Sequence, residues 1–431
     1  MTVGASIRTE ALPSGIRLVS EPMADVHSVA VGFWVGTGSR DEVPELAGAS
    51  HFLEHLLFKG TAERSAAAIA EELDAVGGDC NAFTTKEYTA FYIRLLAEHL
   101  PLGLDILSEI MRDPALRPGD VDAERRVILD EILMHADEPS DLVWERWQAA
   151  LFPSHALGQD TLGSASSVKA IGADEIRRFF GHHYRPGNMV VSVAGDCRHE
   201  HLAEAVESRF GGLSGGEAPS RRPPEAPVDP LVVVRRPTEQ AHLVLGARSV
   251  SRFDEDRWAL AVLNHVLGGG LSSRLFQKIR EERGLAYSVW SDRVAYHDTG
   301  SVAVSAGTAP DNVAEVLRIV TDELGLLAAH GITERELAIA KGNLRSDALL
   351  ACEDSGARMS RVGTSLLLQG EVPTVEDQLG RIEAVGLDDV LRVAGRLAAA
   401  PRVLAAVGPF DPDDFDPDAL GLNAREEAGT E

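Results

Sequence analysis

The chain has 431 residues, a formal charge of −26, 44% hydrophobic residues and 25% charged ones. That length exceeds one ordinary core, so two or more domains are expected, and the composition is globular rather than disordered. The negative balance argues against nucleic acid, whose backbone needs a basic face, and against an anionic membrane surface, while it weakly favours basic peptides.

Residues 1–15 show no apolar run behind basic residues, so no secretory leader is expected. No run approaches the roughly 18 apolar residues of a bilayer span. Residues 16–20 and Ser28–Val35 read as strands around a turn, and 36–42 as a loop. The next stretch, Ala49-Ser50-His51-Phe52-Leu53-Glu54-His55-Leu56-Leu57-Phe58-Lys59-Gly60-Thr61, reads as a short amphipathic helix, started by Ser50 or the Gly48 region and ended by Gly60. His51 and His55 are four apart and so lie one turn from each other on one face; Glu54 leans to the same side. Two imidazoles and a carboxylate converging on a point are what a divalent metal plus a general base require.

A second helix covers 66–76, Gly77-Gly78-Asp79 breaks it, and 88–95 is a strand. Helix dominates 97–111. The next helix runs from 121 to about 136 with Asp120 as its N-cap. On it Glu124 and Glu131 are seven apart, two turns, and share a face with Val127 and Ile128. Acids on a partly apolar face raise the question of what they bind.

Residues 142–152 and 173–184 form further helices, and 188–195 a strand ending in glycine. Residues 214–230 have the proline and polar content of a linker, dividing the chain into a first domain, 1–213, and a second, 231–431. Past the linker the pattern restarts: 242–247 matches the strand 29–33, and 258–270 is a helix ending in glycine. Laid under the first half, Ala261, Asn264 and His265 fall opposite His51, Glu54 and His55. The second half therefore reads as a duplicate without metal or base, and His265 as a packed histidine. A helix over 273–280 and strands over 286–290, 300–307 and 403–407 follow, with helices between. From about Asp411 the acidic tail is expected to be loose. Cys80, Cys197 and Cys352 are odd in number and far apart, which argues against a disulfide scaffold and for a reducing, cytoplasmic setting.

With these residues assembled, the chain resembles the M16 (pitrilysin-like, inverzincin) zinc metallopeptidases over about residues 10–410. It is most similar to the processing-peptidase-like branch related to the mitochondrial processing peptidase β subunit. The motifs that carry the likeness are the H-x-x-E-H run 51–55 with its continuation to Thr61, Asn81-Ala82-Phe83-Thr84, and the segments 124–132, 267–276 and 280–289. The resemblance implies an α+β fold of two homologous domains, each an antiparallel sheet with helices, facing each other as a clamshell. It implies Glu131 as the third zinc ligand beside His51 and His55, Glu54 as general base, and Glu124 as a group that orients a ligand. It implies Arg280 and Tyr287 as catalytic helpers from the second half. Asn81, Ala82 and Phe83 would be an edge strand to which an extended peptide adds by main-chain bonds. One Zn2+ per chain, an unfolded peptide substrate and a homodimer are implied likewise.

The chemistry agrees. Two neutral imidazoles and one carboxylate leave zinc near net +1 with an open position, which lowers the pKa of a water toward ~7. Glu54 can take that proton and pass it to the leaving amine. Tyr287 or Arg280 could donate to the oxyanion. The expected function is a zinc-dependent endopeptidase for unfolded peptides or small proteins. The alternatives are a leader-processing peptidase for a dedicated precursor and a non-catalytic binding or scaffold subunit. Histidine and carboxylate suit manganese and cobalt as well as zinc.

Overall fold

Strand β3 (Ser28–Val35) is apolar on both faces, and both faces are covered, which fixes the layering of the first half. In the computed structural model, residues 7–422 are described. Val29, Val31, Phe33 and Val35 point into a core shared with helices α1 (Ala49–Leu57), α2 (Ala66–Ala75) and α3 (Leu100–Arg112). Ala30 and Trp34 face the other way, against Met359, Val362 and Leu366 of the helix Ser355–Gln369.

The first sheet holds β1 (Arg8–Ala11), β2 (Arg17–Pro22), β3, β4 (Asp79–Thr84), β5 (Thr89–Leu96) and β6 (Met189–Gly195), in the order β1-β2-β6-β3-β5-β4. The second holds β7 (Leu231–Arg235), β8 (Ala241–Ser249), β9 (Ala286–Ala295), β10 (Gly300–Thr308) and β11 (Arg402–Gly408), in the order β7-β11-β8-β10-β9. From β2 onward the two orders match strand for strand, so the duplication read from the sequence is present in the topology. The sheets are mixed rather than purely antiparallel, since β2 pairs parallel with β6 and β7 with β11. In each sheet the parallel partners are far apart in the chain, with three other strands of the same sheet and several helices between them, a separation that parallel pairing requires.

The chain forms two compact units. One comprises the residues up to Ile132, Gln159–Ser220 and Ala348–Val375; the other comprises Leu133–Gly158, Arg221–Asp347 and the residues from Glu376. These are not the contiguous halves read from the sequence. Beyond the linker, one helix from each half belongs with the other half's sheet. Helix α4 (Pro118–Asp137) leads into α5 (Pro139–Leu151), whose Leu142, Val143 and Trp147 pack on Val244, Val403 and Ala405. Trp147 also donates from its indole to the Val403 carbonyl at 3.1 Å. In the first unit, Glu21 on β2 accepts from Arg358 and Arg361 of the helix Ser355–Gln369, each at 2.8 Å. A sheet apolar on both faces needs a second cover, and sequence proximity does not say which helix supplies it.

Two further expectations change. Helix α4 begins at Pro118, so Asp120 sits in its first turn rather than at its cap. The tail past Asp411 is not loose as far as it is described: Phe415, Leu420 and Leu422 are buried in the second core, and Asp416 caps the short helix Pro417–Leu420. Residues 423–431, the remainder of that tail, lie outside the described residues. Among the described residues no helix is long and apolar enough to cross a membrane.

Gly363 is tightly enclosed, because a Cβ there would meet the Trp34 indole and the Ser192 hydroxyl. Gly363→Ala should lower stability by about 1–3 kcal/mol despite alanine's helix propensity. Gly342→Ala, mid-helix with open space around it, should raise stability by about 0.5–1 kcal/mol. Urea midpoints measure both, and equal shifts would contradict this packing.

Candidate metal centre

Gly48 starts α1 in the left-handed region, at φ +94°, and Gly60 turns the chain away at φ +110°. Between them Phe52, Leu53, Leu56 and Leu57 are buried in the first core. They lie on one side of the helix, so His51, Glu54 and His55 must lie on the opposite side. The two imidazole centroids are 4.7 Å apart, with the rings inclined at 68°.

Helix α4 supplies the acids. Val121, Glu124 and Ile128 are its buried positions, at i, i+3 and i+7, and Glu131 continues that stripe half-buried. Val127, expected on the same face, is 48% exposed; the face that packs is narrower than the sequence suggested. Glu131 Oε2 lies 3.7 Å from His51 Nε2 and 3.7 Å from His55 Nε2. One ligand atom from each of the three falls within 4.8 Å of the others. Tetrahedral bonds of about 2.0–2.1 Å would set ligand atoms roughly 3.4 Å apart, so these donors fit a zinc-sized ion with small adjustments.

Glu124 stands behind this trio. Its Oε2 lies 3.1 Å from His55 Nδ1, and its Oε1 is 2.8 Å from Lys59 Nζ. The Nδ1–H can only donate to a carboxylate, which leaves Nε2 as the lone-pair atom facing Glu131. The Lys59 ammonium balances a carboxylate that is only 8% exposed. Lys59 was read as part of the motif 51–61, but its role was not legible in the sequence.

Glu54 is half-buried, and Thr84 donates its hydroxyl to Glu54 Oε2 at 2.6 Å. Burial raises the Glu54 carboxyl above the usual range, Glu131 adds to the rise, and Thr84 and His55 oppose it. A carboxyl so placed is a proton acceptor shifted toward neutral pH. Thr84 ends β4, the outermost strand of the first sheet. The same strand carries Asn81, Ala82 and Phe83. Asn81 is exposed and its side chain accepts from the Ala82 amide at 2.8 Å. Phe83 packs edge-on against Trp34, at 6.1 Å, so its ring anchors the strand and the main chain is what the edge offers. A cavity of about 530 Å³ is lined by residues of α2 and β4 and by Glu54, His55 and Phe58, with Ile69 and Leu73 among its apolar residues.

Arg280 and Tyr287 occur together in the second unit. The Arg280 guanidinium sits 4.4 Å over the Tyr287 ring and 4.8 Å over the Phe276 ring, and donates to the Tyr287 carbonyl at 3.1 Å. Tyr287 is 79% exposed. His265, the counterpart of His55, is buried in the second unit, as a packed histidine would be.

The family profile described as Insulinase (Peptidase family M16) matches residues 17–165, and that described as Peptidase M16 inactive domain matches 170–344. An uncharacterized zinc protease of Streptomyces coelicolor is 44% identical over 413 residues, covering 94% of this chain and 90% of that protein. Another, from Mycobacterium tuberculosis, is 44% identical over 407 residues and covers 93% of each chain. A third, from Bacillus subtilis, is 38% identical over 397 residues, covering 92% of this chain and 97% of that one. Among solved structures, a protease from Helicobacter pylori has a TM-score of 0.87 at 23% identity, covering 94% of this chain and 99% of its own. This last likeness concerns the fold alone.

Metal-free protein titrated with zinc against a chromogenic chelator should bind it tightly, and His51→Ala should abolish that binding. Glu124→Gln should weaken it about 10–100-fold, because His55 loses the acceptor that sets its tautomer. Undiminished affinity in Glu124→Gln would contradict that role.

Proposed function

The chain belongs to peptidase family M16, and on that premise we propose that it is a zinc-dependent endopeptidase acting on unfolded peptides or small proteins. The observation that carries the proposal is the convergence of His51, His55 and Glu131, with Glu54 held beside them by Thr84. When bound, zinc supplies Lewis acidity, making a water acidic near neutral pH and polarising a carbonyl.

The remaining steps belong to the chain. Thr84 donates to Glu54 Oε2 and so orients the carboxylate, which accepts the water's proton and later delivers it to the leaving amine. Burial raises the Glu54 pKa, which suits it to both transfers. An extended substrate pairs with the β4 edge through main-chain bonds, which favours unfolded chains and demands little sequence. One of its side chains enters the cavity walled by Phe58, Ile69 and Leu73. Arg280 and Tyr287 join the proposal as oxyanion donors, supported by the family resemblance. Cytoplasmic placement and self-pairing belong to the same proposal, carried by cysteine usage and resemblance respectively.

Cleavage of an unfolded peptide library, read by mass, tests this reading. It should vanish with chelator and fall about 10²–10⁴-fold in Glu54→Gln, which should still bind zinc. Cleavage within about ten-fold of wild type in Glu54→Gln would remove the base. Thr84→Val gives a finer check. The lost hydrogen bond stabilised the carboxylate, so the Glu54 pKa rises and the acid limb of kcat/KM should move to higher pH. A limb that stays in place or moves to lower pH would show that Thr84 does not set this carboxyl.

A further inference from the structure

Beneath the start of α1 lies a carboxylate that the chemistry above does not use. Glu42 is 7% exposed, and its oxygens accept from the Gly48 and Ser50 backbone amides, each at 2.7 Å. These are two of the unpaired donors that any helix start leaves. No side chain of α1's own N-cap takes them, because that residue is Gly48. Its left-handed φ and the Leu162 carbonyl, which a Cβ would meet at 2.5 Å, exclude serine or aspartate there. A remote acid replaces the local cap.

The segment leading into α1 is held from a second side as well. Ser167 donates its hydroxyl to the Ala47 carbonyl at 2.7 Å, and Gly163 packs closely on the same group. With the chain fixed at Ala47, Gly48 and Ser50, little freedom remains for the next residue, which is His51. A helix whose first turn is pinned has its rotation and height set, and His55 follows one turn on. An exposed serine or asparagine cap would hold such a helix at a smaller desolvation cost than a buried acid. Burial pushes the Glu42 carboxyl up to about 7, against the pull of the Ser50 and Gly48 amides and of Lys86. What the acid adds is two short acceptors in one rigid group, with negative charge at the positive end of the helix.

We infer that Glu42 is a positioning residue for the metal centre, tying the Gly48 and Ser50 amides so that α1 presents His51 and His55 to Glu131 at the right height. This rests on the metal-centre reading above. A mere stabiliser of the fold would act on the whole first unit; a positioning residue acts on α1 and on what α1 binds.

The test is zinc affinity by chelator competition at about pH 8, where the carboxyl is ionised, together with amide hydrogen exchange of the metal-free protein. Wild type is compared with Glu42→Gln, which keeps the shape but turns an amide NH2 toward one backbone N–H, and with Glu42→Asp, which keeps the charge but is one methylene short. Glu42→Gln should bind zinc about 10-fold or more weakly, in the range expected for groups that orient ligands. Its exchange should quicken in the segment of α1 while β3 and β6 stay protected. Glu42→Asp should fall between the two. Affinity of folded Glu42→Gln within about two-fold of wild type would overturn the inference. So would faster exchange throughout the first sheet with affinity unchanged. If the glutamine variant does not fold, the aspartate variant decides by the same readings. Wild type that binds no zinc would instead overturn the metal-centre reading itself.

Discussion

The candidate centre depends on two helices that share one core. Helix α1 is nine residues long, too short to hold its own shape in water. Its orientation comes from burying Phe52, Leu53, Leu56 and Leu57, and α4 is seated against the same core by Val121 and Ile128. The separation of Glu131 from the two imidazoles is therefore a consequence of apolar packing. A change of packing on the far side of α1 would act at the donors without touching them.

Three carboxylates at the candidate centre are placed in different electrostatic settings, and the settings sort their proposed roles. Glu131 is half-buried and faces two ring nitrogens. Glu124 is buried and shared between Lys59 and His55, so its charge is compensated and its geometry fixed. Glu54 is held by Thr84 and has a carboxyl raised by burial, which is the setting of a group that exchanges protons. In the second unit the corresponding helix, Arg257–Gly268, is buried along most of its length. Asn264, in the place of Glu54, turns its amide toward the Ser291 carbonyl at 3.3 Å. The duplicated topology persists there with packing in place of the acid–base set.

The sequence made some of this legible because a helix converts spacing into direction. His51, Glu54 and His55 could be placed on one side of a helix from their numbers alone, and Ser28–Val35 from its unbroken apolar run. Glu131 could be placed on a helix face beside Glu124, but its pairing with the two histidines came only from the family resemblance, since no local period links it to His55. Val127 was misplaced because the edge of an apolar face is set by the neighbouring element. The tail past Asp411 was misread because its acids outnumber Phe415, Leu420 and Leu422, although those three suffice to dock it. The exchange of helices between the two units left no mark, as it depends on which sheet face each helix covers. The roles of Glu42, Lys59 and Thr84 were missed for a related reason: their partners lie on other segments, and bonds between segments have no period.

The central claim is that two imidazoles and one carboxylate of the first unit hold the metal. X-ray absorption at the zinc edge of zinc-loaded protein tests it most directly. The account predicts a shell of nitrogen and oxygen atoms at about 2.0–2.1 Å with the outer scattering of two imidazole rings, and no sulfur. A sulfur shell near 2.3 Å, or a light-atom shell without imidazole scattering, would contradict it.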